Sequence, residues 1–297
     1  MANDAAKAAD AVHAVSTAAG AAPAPADHKR FWQSNLREYG MLISLVAIMV
    51  LFQVLTDGTL MRPLNLTNLV LQNSYIVIMA LGMLLVIVAG HIDLSVGSVC
   101  GFIGALAAVL MVQYDWPYLV TGVVCILAGA VIGAAQGWFV AYQRIPSFIV
   151  TLAGMLVFKG LTLALLAGQS VGPFPVQFQR LSSGFIPDPF GGESLRLFSV
   201  LLGVAAAVAL VFFKMRGRAR LARYGMEEEP YAFFLGKNLF FAAVIVYLCY
   251  LLATYKGLPN VLIVMALLIV LYDFVTNRTT IGRRIYALGG NEKAARL

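Results

Sequence analysis

The sequence predicts an all-α membrane protein, a polytopic bundle of about eight transmembrane helices. Three observations carry that prediction. Hydrophobic residues make up 61% of the chain and charged residues only 12%, with a mean hydropathy of +0.85. A soluble domain carries about 25% charged residues, and half that share cannot coat its surface. The apolar residues also come in long continuous runs rather than alternating, so backbone amides find their partners within helices and not in a closed barrel. Finally, the basic residues concentrate in every second connection, as the positive-inside rule requires.

A helix of about 20 apolar residues crosses the hydrocarbon core at about 1.5 Å per residue. Eight runs qualify, at about 39–56, 69–89, 94–112, 117–140, 147–167, 197–213, 238–255 and 258–275. Only Gly90-His91-Ile92-Asp93 separates the second from the third, and a turn around Lys256-Gly257-Leu258-Pro259 joins the last two. With a cytoplasmic amino terminus, sixteen of the 21 Lys and Arg residues fall in inner segments. Arg62, Arg180, Arg196 and Lys256 fall outside, and Lys159 lies within a span. Removing any one span would put later basic loops on the wrong side. The net charge of +7 therefore reports orientation and contact with anionic lipid, and is not a nucleic-acid footprint.

Three regions follow. Residues 1–38 are Ala-rich with no apolar stretch after a basic start, which predicts a disordered cytoplasmic tail rather than a secretory signal. Residues 39–275 form the membrane domain, and residues 276–297 a cytoplasmic segment. Two loops are large. The outer one, 168–196, is broken by Pro173, Pro175, Pro187 and Pro189; the inner one, 214–237, is basic and then acidic at Glu227, Glu228 and Glu229. Ala80-Leu81-Gly82-Met83-Leu84 echoes Leu152-Ala153-Gly154-Met155-Leu156 in spans of opposite direction, as inverted repeats would, although so short a string of small and apolar residues recurs by chance.

The chemistry-bearing residues are few. Cys100, Cys125 and Cys249 lie inside apolar runs as small hydrophobes, and His13, His28 and His91 are too scattered to ligate a metal. The chain contains no GxxxxGK[ST] phosphate loop, so ATP has no such site here, and no catalytic constellation is placed. Polar groups within spans are costly and are functional candidates by default. Asp93 leads into an apolar run through Ser95, Gly97 and Ser98. It either caps the first helical turn between two packed spans or lines a polar path. Lys159, twelve residues past Ser147, either snorkels to the outer interface or lines a pathway. Asn73, Ser74, Gln136, Thr151 and Thr162 could each bond a neighbouring helix. Gly129, Gly133 and Gly137 make a small-residue stripe suited to tight helix packing. The basic, Gly-broken end of the chain is either an ordinary inner flank or a docking element for a soluble partner, with Asn291 capping a short helix.

Ile92-Asp93-Leu94-Ser95-Val96-Gly97-Ser98, Ile145-Pro146-Ser147-Phe148-Ile149-Val150-Thr151-Leu152-Ala153-Gly154-Met155-Leu156, and Gly282-Arg283-Arg284-Ile285-Tyr286-Ala287 through Gly289-Gly290-Asn291-Glu292 and Ala294-Ala295-Arg296-Leu297 carry a family resemblance. In this order they resemble the membrane and coupling motifs of the simple-sugar permeases of bacterial ABC importers, of the ribose, xylose and multiple-monosaccharide group. The resemblance runs from about residue 40 to the end. The long insertion between the fifth and sixth spans is most similar to xylose or multiple-monosaccharide permeases. It departs in two places. His91 stands where the signature usually has a second glycine, and the chain stops at Leu297 where such permeases continue to about ten spans, which reads as a fragment.

The resemblance implies a permease subunit in the bacterial inner membrane, working as a pair of chains, with monosaccharide passing near Asp93, Ser95, Gly97, Ser98, Asn73, Gln136, Thr151 and Lys159. It implies an ABC ATPase, which binds the ATP, docked on Gly282, Arg283, Arg284, Gly289, Gly290, Asn291, Glu292, Ala294 and Arg296. It also implies a periplasmic sugar-binding protein at the outer face. No cofactor or metal of the chain's own is expected. Two other classes compete. An ion-coupled secondary carrier would use a mid-membrane ionisable group, for which Asp93 and Lys159 are the candidates. A non-transporting scaffold would need every polar residue to be structural.

Overall fold

The computed structural model describes residues 28–190, 195–224 and 230–295. Residues 1–27 of the disordered tail expected over 1–38, the acidic run Glu227, Glu228 and Glu229, and Arg296 of the terminal motif lie outside these residues, while 28–38 of that tail are helical. Eleven helices are described: α1 (His28–Leu55), α2 (Pro63–Val88), α3 (Val96–Ala108, extended by a π turn over Val109–Gln113), α4 (Tyr118–Ala141), α5 (Ser147–Leu166), α6 (Val176–Ser182), α7 (Leu197–Ala222), α8 (Tyr231–Ala253), α9 (Asn260–Arg278), α10 (Thr280–Gly290) and α11 (Glu292–Ala295). The chain divides into two compact units, Met1–Met61 and Arg62–Leu297.

In the first unit α1 begins at His28, ahead of the expected span, and its apolar part is Gly40–Leu55. The helix ends in a turn through Asp57 (φ 48°) and Gly58 (φ 80°), and the Gln53 side chain accepts from the Met61 amide at 3.1 Å.

In the second unit seven helices are long and apolar enough to cross a membrane: α2, α3 with its π turn, α4, α5, α7, α8 and α9. With the shorter apolar stretch of α1 they match the eight expected runs in order. Proline sets most of their starts. Pro63 is the first residue of α2, and Pro117, Pro146, Pro175, Pro230 and Pro259 immediately precede α4, α5, α6, α8 and α9. Proline lacks an amide hydrogen and holds φ near the helical value, so it costs nothing where the helix has no bond to make.

Much of the spans' lateral surface is bare. Only 6% of the apolar window of α2, α4, α5 and α9 is buried within the chain, against 28% for α3. Apolar side chains so exposed need lipid or another helix around them, and α3 is the most enclosed span. Ala105, Ala107, Ala108, Val109 and Met111, all on α3, form one part of the buried core, and Leu252, Ala253, Leu258 and Val261 around the α8–α9 turn, with Ala207 of α7, make up the rest. α3 packs on α5 and α4, α7 on α8, and α9 on α2. In the α7–α8 pair, any side chain at Gly203 would collide with Cys249, so the absent Cβ sets their approach.

Three expectations need correction. The inner loop over 214–237 is largely helical: α7 continues to Ala222 and α8 begins at Tyr231, because Lys, Met, Arg, Ala and Leu are good helix formers and no proline intervenes before Pro230. The outer segment over 168–196 is not all loop. It contains α6 and folds over the start of α9, with the Ile186 amide donating to the Leu258 carbonyl (3.0 Å), the Asn260 amide to Gly184 (2.8 Å) and the Asn260 side chain to Arg180 (2.7 Å). The stripe Gly129, Gly133 and Gly137 does not pack helices within the described chain; a Cβ at each would have nothing within 4 Å.

Candidate functional site

A polar cluster gathers where α3, α4 and α5 meet, at the end of the bundle that carries the short 89–95 and 142–146 connections. Ser95 is fully buried and central. Its amide and hydroxyl both donate to Asp93 Oδ1, at 2.8 and 2.7 Å, and its Oγ lies 3.0 Å from Gln136 Nε2 on α4. On α5, the Ser147 hydroxyl accepts from the Ile92 amide at 3.2 Å, and the Thr151 hydroxyl lies 3.3 Å from the Ile92 carbonyl and 2.9 Å from that of Ser147. Both backbone groups of Ile92 thus face hydroxyls of α5, which fixes the turn that presents Asp93.

The cluster depends on Gly154. A side chain there would collide with Gln136 Nε2 and touch the Ser95 Cβ, so the missing Cβ admits the amide between α4 and α5. The capping expectation for Asp93 is corrected by two residues. Asp93 closes the turn ahead of the helix, and Ser95, with helical φ and no capping side-chain bond of its own, precedes Val96. The carboxylate therefore orders the loop rather than the first turn of α3, and it remains half-buried.

Asp93, Ser95, Gln136 and Thr151 are brought together; the other expected residues are not in this cluster. Gly97 is exposed with open space around it, and Ser98 is half-buried on α3. Asn73 is exposed and donates to Leu69 of its own helix at 2.8 Å. Lys159 is exposed, and Thr162 bonds Phe158 within α5. Ser147 and Gly154 belong to the cluster but carry no special sign in the sequence beyond their place in a longer motif. Only the pairing of α5 with the 89–95 turn brings them in.

Two cavities flank the cluster. One of about 480 Å³ lies between α4 and α5, with Gln136 as its one polar side chain among apolar neighbours such as Ile132, Phe139, Ile149 and Phe158. The other, about 570 Å³, has a mixed lining and opens at the end of the bundle between His91, Arg144 and Ser147 on one side and Leu288 and Glu292 of α10 and α11 on the other. Among the described residues no three His, Cys, Asp or Glu side chains converge as a metal set would.

The terminal segment meets the same end of the bundle. Thr279 caps α10, accepting from the Gly282 amide at 3.3 Å, and Gly282 is buried against the carbonyls of Val275 and Thr276. A Cβ at Gly289 would collide with the Val88 carbonyl at the end of α2, whereas Gly290 has open space. Asn291 caps α11 through Oδ1, which accepts from the Ala294 amide at 3.1 Å, as its place in the sequence suggests. Arg283 and Arg284 stay exposed. α10 is thus seated on the last turn of α2, directly before the turn that carries Asp93.

Residues 65–297 match the family profile described as branched-chain amino acid transport system / permease component. The chain is 36% identical over 263 residues to the xylose transport system permease protein XylH of Escherichia coli K12, covering 89% of this chain and 65% of that protein. The XylH protein of Haemophilus influenzae is 37% identical, with 89% and 68% covered. The ribose import permease protein RbsC of Escherichia coli K12 is 29% identical over 267 residues, with 90% and 62% covered. The chain spans about two thirds of the length of the curated relatives it matches. No solved structure matches.

Proposed function

The chain belongs to the branched-chain amino acid transport system / permease component family, and from that premise we propose that it is the membrane permease subunit of an ATP-binding-cassette importer for xylose or a related simple sugar. ATP is bound and hydrolysed by a separate subunit, a periplasmic binding protein delivers the sugar, and two permease chains, alike in sequence, form the pathway. The chain sits in the bacterial inner membrane with its amino terminus in the cytoplasm, the side favoured by the distribution of basic residues.

The observation that carries this reading is the seating of α10 on the Val88 end of α2, beside the Asp93–Ser95–Gln136–Thr151 cluster. A motor protein that moves α10 pushes on the turn over 89–95. That turn is tied to α5 through Ser147 and Thr151 and to α4 through Ser95 and Gln136. Nucleotide binding would favour one arrangement of this end of the bundle over another, and only such differential affinity can shift access between the two sides. The sugar's hydroxyls would exchange bonds with the same side chains as they pass. An ion-coupled carrier suits the geometry less well, since Asp93 lies at the end of its bundle and not at mid-membrane.

The test is uptake of radiolabelled xylose into proteoliposomes holding the permease with its ATPase and binding protein. The double variant Arg283→Glu, Arg284→Glu is expected to fold normally and to bind the ATPase weakly, with sugar-stimulated hydrolysis falling by roughly tenfold or more. Normal coupled uptake by that variant would refute the docking role, and uptake driven by a proton gradient without ATP would refute the importer class.

A further inference from the structure

Helix α3 does not finish as an α-helix. Its last stretch, Val109–Gln113, widens into a π turn. The Tyr114 amide reaches back to the Val109 carbonyl (3.2 Å), and the Trp116 amide to that of Leu110 (2.9 Å). In an α-helical register Tyr114 would donate to Leu110 itself, the carbonyl that Trp116 now uses. The chain leaves the turn through Asp115 with φ at 55°, in the left-handed region that a residue with a Cβ enters at a cost. A π turn holds more chain per turn than the α-helix around it, and such turns are frequent at functional sites.

Thr121 supplies a second, independent observation at the same corner. It lies at the end of the first turn of α4, fully buried, and its hydroxyl has no hydrogen-bond partner among the described residues. The other buried hydroxyls, those of Thr67, Ser74, Ser95, Thr151, Ser199 and Thr276, each have one. One turn further along α4, the Cys125 thiol donates to the Ile103 carbonyl of α3 (3.8 Å). The two helices are antiparallel, so Thr121 faces α3 one turn past Ile103, at the approach to the π turn.

A buried hydroxyl without a partner raises the energy of the arrangement that strands it. The left-handed Asp115 raises the same arrangement. Together they bring a second, narrower register of α3 within reach. The two registers are discrete, because Tyr114 and Trp116 exchange one carbonyl between them. A discrete two-state element is what coupling between distant sites requires. α3 is placed to use one: it carries the Asp93–Ser95 turn at its opposite end, packs on both α4 and α5, and is the most enclosed span. We propose that the π turn over Val109–Gln113 is a register switch. In the arrangement described here Trp116 holds the Leu110 carbonyl. In the other Tyr114 takes it, the 114–117 connection moves, and the Thr121 hydroxyl gains a partner. The switch is a property of the α3–α4 corner; its use, to let the bundle take two access arrangements, rests on the permease reading.

The test is amide hydrogen exchange of the full purified chain in lipid nanodiscs, followed at Tyr114 and Trp116. In the wild type Trp116 is expected to exchange at least roughly tenfold faster than Tyr114 after correction for intrinsic rates, because only Trp116 loses its acceptor in the second register. Thr121→Val keeps the shape of the side chain and removes the stranded hydroxyl. It should slow Trp116 by roughly five- to 150-fold and leave Tyr114 unchanged. Deleting Gln113 takes out the extra residue of the wide turn. Tyr114 then donates to Val109 as an ordinary α-helical bond, and Trp116 to Leu110 as the closing bond of a left-handed cap. That variant should melt no lower than the wild type and protect both amides equally. With the ATPase and binding protein, both variants are expected to lose at least about tenfold in sugar uptake, since each is held in one register. Equal exchange of the two amides in the wild type, or a lower melting temperature on deleting Gln113, would overturn the switch. So would faster exchange of Trp116 in Thr121→Val, which would mean that the hydroxyl is already satisfied. Full uptake by both variants would overturn its use in transport. A wild-type assembly that imports no sugar would refute the importer reading and that use with it, while the exchange results still decide the switch.

Discussion

Replacing Gly289 by alanine adds one methyl group, and that methyl would land on the Val88 carbonyl oxygen. The obstacle is backbone at the end of α2, which has no rotamer with which to retreat. α10 must lift away from α2 or the last turn of α2 must deform. Overpacking of this kind costs about 1–3 kcal/mol. The neighbouring Gly290 provides a matched control in the same helix, because a Cβ there has nothing within 4 Å. Alanine at Gly290 gains up to about 1 kcal/mol of helix propensity and loses no contact. The readout is amide hydrogen exchange over residues 280–290, which reports the local opening of α10. In Gly289→Ala these amides are expected to exchange roughly five- to 150-fold faster, the kinetic equivalent of about 1–3 kcal/mol, while Gly290→Ala leaves them unchanged or slower. In the transport assembly the first variant should also hydrolyse ATP with less sugar uptake per turnover. Equal exchange in the two variants, or faster exchange in Gly290→Ala, would refute the close seating of α10 on α2 and with it the proposed route from the terminal segment to the Asp93 turn.

Two further perturbations probe the two halves of the bundle. Ser95→Ala removes a buried hydroxyl that donates to the Asp93 carboxylate and meets Gln136, at an expected cost of about 1.5–3 kcal/mol. A double-mutant cycle with Gln136→Ala, followed by thermal inactivation, should show at least about 0.5 kcal/mol of coupling, and strict additivity would mean the two side chains do not act together. In the other half, the Ser199 hydroxyl accepts from the buried Leu258 amide at 3.1 Å. Ser199→Ala strands that amide and should destabilise the α8–α9 turn by about 1–3 kcal/mol, read as faster exchange of Leu258 and its neighbours, whereas unchanged protection would remove the bond from the account.

The sequence was most informative where a physical constraint acts on consecutive residues. Lipid requires long apolar runs, so the spans were readable from composition alone, and prolines at 63, 117, 146, 175, 230 and 259 mark where helices begin. Asn291 was readable as a cap because capping is local. The reach of α7 and α8 past the apolar runs was not, since a basic stretch reads as a flank whether or not its backbone stays helical. Nor could spacing separate Gln136 and Thr151 from Asn73 and Thr162: all four are polar residues within spans, yet the first two meet the Asp93 turn and the last two bond their own helices.

Glycine shows the same division most sharply. Gly129, Gly133 and Gly137 have the spacing of a packing stripe but meet nothing within the described chain, while Gly154, Gly203 and Gly289, which lack that spacing, are among the positions where another helix or carbonyl occupies the space of a side chain. By itself the sequence determined that this chain lives in lipid, how often it crosses and which segments share a side, because those properties sum over many residues. Tertiary structure alone decided which polar groups share a site and which glycines cannot change. Those depend on the approach of segments more than fifty residues apart, such as Ile92 to Ser147 and Ser199 to Leu258, and no local pattern encodes that distance.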